Sequence, residues 1–213
     1  MTTPTTTPAK AWREMVRGNG RFIAGEPRHP RQDVERRGEL IGNQAPHAAL
    51  FGCSDSRLAA EIIFDKGLGD LFVIRNAGQV ISDSVLGSLE YAVEILGVPL
   101  IVVLGHDECG AVAAAIECQK PDAPAIPPHI RALIDPITDA VRRVQDRHPG
   151  AEPLDPLEVG REHLRDTVAG LVAGSELMSD AVAAGTLAIV GANYRLLEGL
   201  AVPDVIVGDV QPS

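Results

Sequence analysis

The sequence predicts an α/β fold, a mostly parallel central β-sheet flanked by helices. Five short apolar, β-branched runs alternate with segments of helical periodicity along the 213 residues. Apolar residues make up 45% of the chain, enough for a sizeable core. Several runs are continuously apolar rather than alternating, the pattern of strands covered on both faces of a parallel sheet.

Residues 1–8, rich in Thr and Pro, are expected to form a flexible tail; they lack the basic and apolar segments of a secretory signal. Residues 9–213 read as one α/β domain. Its first segment, 9–24, is amphipathic through Trp12, Val16, Phe22 and Ile23, but Gly18 and Gly20 weaken it as a free helix. This amino-terminal arm is therefore expected to pack on something beyond itself, such as a partner subunit. Strands are expected at 47–52, 71–75, 100–105, 187–192 and 205–210, the second, third and fifth nearly continuously apolar. Between them, 82–96 puts Val85, Leu86, Leu89, Val93 and Leu96 on one helical face, with a Ser/Asp/Ser start and Gly97 past the end. A helix over 110–117 follows the third strand. Eight of the 16 prolines lie between Pro121 and Pro156. We read 119–156 as a Pro-rich helical excursion from the same domain, because 129–147 keeps helical spacing with a kink at Pro136. A second long helical region spans 155–184, closed by Gly185.

The formal charge of −10 argues against nucleic acid or an anionic membrane surface as partner. The longest apolar run, 98–105, falls far short of the ~20 residues that span a bilayer, so a cytoplasmic protein is expected. Three cysteines are too few, and an odd number, for a disulfide framework, which suits a reducing compartment.

Cysteines in that setting are either core fillers or chemistry. The first strand runs into Cys53-Ser-Asp-Ser-Arg57 and the third into His106-Asp-Glu-Cys109-Gly110. Parallel sheets hold ligands at such carboxyl ends. Two thiolates and one imidazole suit zinc, with a fourth position left for water. A lone cysteine after a strand is usually a small hydrophobe, but three ligand-type residues at two strand ends are not explained that way. A closed structural site would need a fourth Cys or His, and Cys118 lies more than two helical turns past Cys109. The remaining histidines (His29, His47, His129, His148, His163) have no ligand spacing and read as solvated or core-satisfied. Asp55 and Arg57, two apart, can pair bidentately, and Asp55 could either orient a zinc-bound nucleophile or occupy the fourth position itself.

Together, CSDSR at 53–57, Arg75-Asn76-Ala77-Gly78 and GHDECGAV at 105–112 resemble the β-class carbonic anhydrases, over about Trp12 to Val210. The resemblance implies that family's fold: four parallel strands plus an antiparallel fifth, flanked by helices. It implies one Zn2+ per chain on Cys53, His106 and Cys109, with Asp55 and Arg57 as catalytic dyad and Asp55 as alternative fourth ligand in a closed state. Gln44 matches a substrate-holding glutamine and Gly110 a backbone position lining the pocket. Phe72 and Tyr91 match apolar walls contributed across a dimer interface. The implied reaction is reversible hydration of carbon dioxide to bicarbonate by zinc-bound hydroxide, in a homodimer or a tetramer built from it. Two rival readings stay open: a carbonyl sulfide or carbon disulfide hydrolase on the same scaffold, and a catalytically silent bicarbonate-binding homologue. Leu50 stands where some bacterial members carry a Trp of an inhibitory bicarbonate site, and Gln79 where many have Asn. Two thiolates cancel the formal charge of zinc, so water should be acidified less than by zinc on three histidines, where its pKa is about 7.

Overall fold

The computed structural model describes residues 6–150 and 153–211. Most of the expected tail, residues 1–5, lies outside the described residues, and Thr7 and Pro8 belong to the first helix instead. Helix α1 (Pro8–Ile23) is capped by the Thr7 hydroxyl, which accepts from Lys10 N, and Pro8 takes the first turn where its missing N–H costs nothing. Then follow α2 (Val34–Glu39), β1 (Ala48–Cys53), α3 (Ala60–Ile63), β2 (Leu71–Asn76), α4 (Asp83–Glu90, continued by a π-turn at Tyr91–Ile95) and β3 (Leu100–His106). Helix α5 (Gly110–Glu117) follows β3, and the excursion supplies α6 (Pro128–Ile134) and α7 (Thr138–Arg147). A 3-10 turn at Asp135–Ile137 separates α6 from α7, the break expected at Pro136. The chain closes with α8 (Pro156–Gly174), α9 (Glu176–Ala183), β4 (Ala188–Arg195) and β5 (Leu200–Val207).

The five strands stand in the order β2-β1-β3-β4-β5, all parallel except β5, which runs antiparallel to β4. Strand side chains alternate between two apolar layers. One joins Leu50, Val102, Leu104 and Val190 to α1 and Phe64. The other joins Phe51, Ile101, Val103 and Ile189 to Leu89 and to Leu164, Val168 and Leu171 of α8. A third core, from Val112 and Ala115 through Ile137, Val141 and Val144 to Val159, sits over the carboxyl ends of the strands and includes Cys53 and Cys109.

Two expectations need correction. The second and fifth strands are not covered on both faces: β1, β3 and β4 are buried, whereas β2 and β5 are the half-exposed edges. The fifth strand lies at 200–207, five residues earlier at its start than expected, and includes Pro203. An edge strand tolerates a residue without an N–H, and the register slips opposite it, between Gly191 and Ala192. Helix α1 packs, as expected, on something beyond itself, here its own sheet: Ala11, Trp12, Met15, Gly18 and Asn19 are buried there. Gly18 is what permits this, since a Cβ would stand 1.8 Å from the Phe64 carbonyl oxygen. Asn19 then answers three backbone groups, donating to the carbonyls of Ile63 and Gly199 and accepting from Ala201 N. Among the described residues no helix is long and apolar enough to cross a membrane.

Candidate metal centre

The chain leaves β1 for β2 on one side and returns to β3 on the other, so the strand order reverses between β1 and β3. Ligand sites form at such switch points, beyond the carboxyl ends of the strands. Here β1 ends on Cys53 and β3 on His106. The ligating atoms of Cys53, His106 and Cys109 lie within 4.8 Å of one another, and all three residues are buried. Glu108 makes the convergence possible: its φ of +50° folds the chain back between His106 and Cys109.

Each donor is oriented by its surroundings. His106 Nδ1 lies 2.8 Å from the Asp107 carbonyl oxygen. A carbonyl only accepts, so Nδ1 carries the proton and Nε2 an open lone pair. That Nε2 is buried and has no hydrogen-bond partner. Asp107 is itself anchored, its carboxylate accepting from Leu196 N at 2.9 Å. Cys53 Sγ accepts from Gly78 N at 3.3 Å. The two thiols titrate as a pair. The Cys109 thiol and the Gly78 N–H favour the Cys53 thiolate and pull its pKa well down, outweighing burial. Facing that thiolate, and buried, the Cys109 thiol is pushed up, against the amides of Ala111 and Val112 at the start of α5. Two close sulfurs beside an unanswered imidazole lone pair are the donor set a borderline-soft divalent cation fits.

Asp55 stands beside this set but outside it. Arg57 holds the carboxylate by two side-chain bonds, Nε to Oδ1 at 2.9 Å and Nη2 to Oδ2 at 2.7 Å, and by its backbone N–H to Oδ1. The arginine keeps the Asp55 carboxyl far below the usual carboxylate range. The arrangement seen here is thus the one with Asp55 on Arg57, not the closed one with Asp55 as fourth ligand. Arg75 supports the loop from the neighbouring strand, donating to the carbonyls of Cys53 (2.9 Å) and Asp55 (2.6 Å). Gly110 opens α5 with free space where a Cβ would be. Arg75 and Asp107 lie inside the motifs at 75–78 and 105–112, but their supporting bonds join residues distant in sequence and are visible only in the fold.

Gln44, Phe72 and Tyr91 form a separate group. The rings of Phe72 and Tyr91 lie 6.1 Å apart, tilted by 32°. Gln44 and Tyr91 line a depression of about 650 Å³ with Ile41, Ile95 and Leu96. Phe72 pairs with Ala49, four residues before Cys53, which separates the two groups by roughly 13 Å along the strands. One chain does not bring them to the metal ligands.

Two sulfurs and an imidazole nitrogen at the switch point of a parallel sheet define an α/β metalloprotein. The family model for carbonic anhydrase matches residues 48–201, and the chain belongs to the β-carbonic anhydrase family. It is 47% identical over 207 residues to carbonic anhydrase 2 of Mycobacterium tuberculosis, covering 97% of this chain and 98% of that protein. Its fold matches the structure of the β-carbonic anhydrase CcaA with a TM-score of 0.71 at 25% identity, over 93% of this chain and 99% of that one. A structure from work on two tetrameric β-carbonic anhydrases of Sordaria macrospora shares the fold, with a TM-score of 0.73 at 20% identity over 93% and 100% of the chains.

Proposed function

We propose that this chain catalyses the reversible hydration of carbon dioxide to bicarbonate and a proton, with one zinc ion held by Cys53, His106 and Cys109. The observation that carries the reading is the unanswered lone pair of buried His106 Nε2, facing two thiol sulfurs beside an Arg57-held carboxylate. Bound zinc supplies Lewis acidity, which makes water a nucleophile near neutral pH. Asp55 does the aiming. Its Oδ1 already accepts two bonds from Arg57 and its Oδ2 only one, so Oδ2 keeps a lone pair for the nucleophile's proton. Because Arg57 holds Asp55 ionised, that oxygen orients by accepting a hydrogen bond and does not keep the proton, which leaves to buffer.

In this reading the working unit is a homodimer, alone or paired into a tetramer, in which Gln44, Phe72 and Tyr91 of one subunit shape the pocket of another, with Gly110 lining it. The separation of the two groups within one chain supports that assignment. The need for reduced thiols supports a cytoplasmic location. A carbonyl sulfide or carbon disulfide hydrolase is not favoured by the relatives, and the intact Asp55–Arg57 pair argues against a silent homologue. Stopped-flow hydration with metal analysis tests the reading. We expect one zinc per chain and a rate climbing from about pH 6 to about pH 9, because two thiolates weaken the acidifying charge of the metal. A flat profile sinks that account, and sulfide release outpacing carbon dioxide hydration replaces the substrate.

A further inference from the structure

We infer that His163 is a positioning residue for Cys53, acting from α8 through the backbone of Gly78; this rests on the reading of Cys53 as a zinc ligand. His163 is buried, with 4% of its surface exposed, and is 85 residues from Gly78 in sequence. Its Nε2 lies 2.8 Å from the Gly78 carbonyl oxygen. Since that carbonyl only accepts, Nε2 carries the ring proton and donates it. The same residue, Gly78, sends its N–H to Cys53 Sγ at 3.3 Å. A continuous path therefore runs from the imidazole through one residue's carbonyl and amide to the sulfur.

The path has little room to relax, which is why it transmits. Gly78 sits at φ +79°, and a Cβ there would stand 2.8 Å from Ala111 Cβ and 3.2 Å from Ile137 Cδ1. On the strand side, Asn76 closes the turn by accepting from Val80 N and donating to its carbonyl. Contacts from α5 and the 3-10 turn confine Gly78 on one side, and His163 latches it from α8. Without the latch, a buried carbonyl is left unanswered. The turn then shifts to find a partner, and the N–H swings off the sulfur. An N–H donated to a metal-bound thiolate draws off charge and sets the direction of its lone pairs, so its loss weakens the metal site. His163 touches neither metal nor substrate in this scheme.

The test compares zinc affinity, by competition with a chromophoric chelator, in the wild type, His163→Leu, His163→Gln and Cys53→Ser. Leu removes the donor, and the site should bind zinc about 10–100-fold more weakly. Gln places an amide N–H at the same carbonyl and should recover most of that loss. In cobalt-substituted protein, the sulfur-to-metal charge-transfer band should move in the Leu variant and return in the Gln variant. A merely structural histidine would lower the melting temperature while leaving affinity and band unchanged, and that result overturns the inference. Should the Leu variant not fold, nitrogen NMR of the wild-type rings decides the geometry. A ring protonated at Nε2 supports the latch, and one protonated at Nδ1 overturns it. If Cys53→Ser binds zinc like the wild type, the reading of the metal site itself has failed, and the inference with it.

Discussion

Two clusters of buried polar groups sit at opposite ends of the same sheet, and among the described residues only one of them has the donor set to hold a metal ion. At the amino ends, Asp65 and Asp70 are buried carboxylates with side chains 1% exposed. Both are fully answered. Asp65 takes Arg21 Nε at 2.5 Å and the backbone N–H groups of Arg28 and His29. Asp70 takes a two-pronged Arg31 and Gly67 N. His29 and Arg31 adopt φ of +48° and +52°, so the chain bends around the carboxylates to deliver those donors. At the carboxyl ends, Cys53, His106 and Cys109 are just as buried, yet the His106 Nε2 lone pair meets nothing. Buried charge therefore does not mark function; what sets the second cluster apart is a ring lone pair without a donor grouped with two sulfurs.

Loss of a sulfur ligand should have the largest effect. Cys53→Ser removes one of two sulfurs, so zinc content should fall sharply and hydration should drop to the uncatalysed rate; metal analysis with stopped-flow kinetics checks both. Asp55→Asn should keep its zinc and lose about 10²–10⁴-fold in rate, which separates holding the metal from aiming the nucleophile. Full activity in that variant would end the proposed role of Asp55. At the other cluster, Arg21→Ala leaves the Asp65 carboxylate with backbone donors alone. Loss of that charge-assisted bond should destabilise the fold by about 1.5–3 kcal/mol, seen as a lower urea midpoint, with zinc content and turnover unchanged. The smallest effect is one of pH. Burial pushes the Asp65 pKa up, but Arg21 and the N–H groups of Arg28 and His29 outweigh it and hold the pKa below the ordinary value. A depressed folded-state pKa stabilises above the unfolded value, about 4, and that stabilisation fades as pH falls through the folded value. The urea-midpoint gap between wild type and Asp65→Asn should therefore narrow below about pH 4.

The legible part of this molecule is the part that is local in sequence. His106 and Cys109 lie three residues apart, Asp55 and Arg57 two, and each pair closes through its own short turn. The strands themselves were equally plain, because burial demands apolar side chains wherever the sheet is covered. Strand order was not: the apolar run of β2 reads like that of β1, although one is an edge and the other central. The start of β5 is hidden because the apolar run at 205–210 lies beyond Pro203, whose tolerance within a strand depends on lying at an edge. Gly18 looked like a weakness in α1 because the Phe64 carbonyl it accommodates is 46 residues away. His163 offers no motif, and its place beside Gly78 exists only once α8 has packed. Gln44, Phe72 and Tyr91 could be matched by resemblance, but their distance from Cys53 along the sheet is a property of register alone.

The metal ligands hang from β1 and β3, two neighbouring strands paired to each other at the middle of the sheet, with Gly52 opposite Leu104. Their spacing is thus set by backbone hydrogen bonds that exist with or without an ion. Small zinc domains that fold only around their metal lose their structure when it leaves. Here the sheet would survive, and a chelated sample should refill without passing through an unfolded state. Metal exchange would then be a matter of access and dissociation rate, with the apo chain already holding the shape that receives the ion.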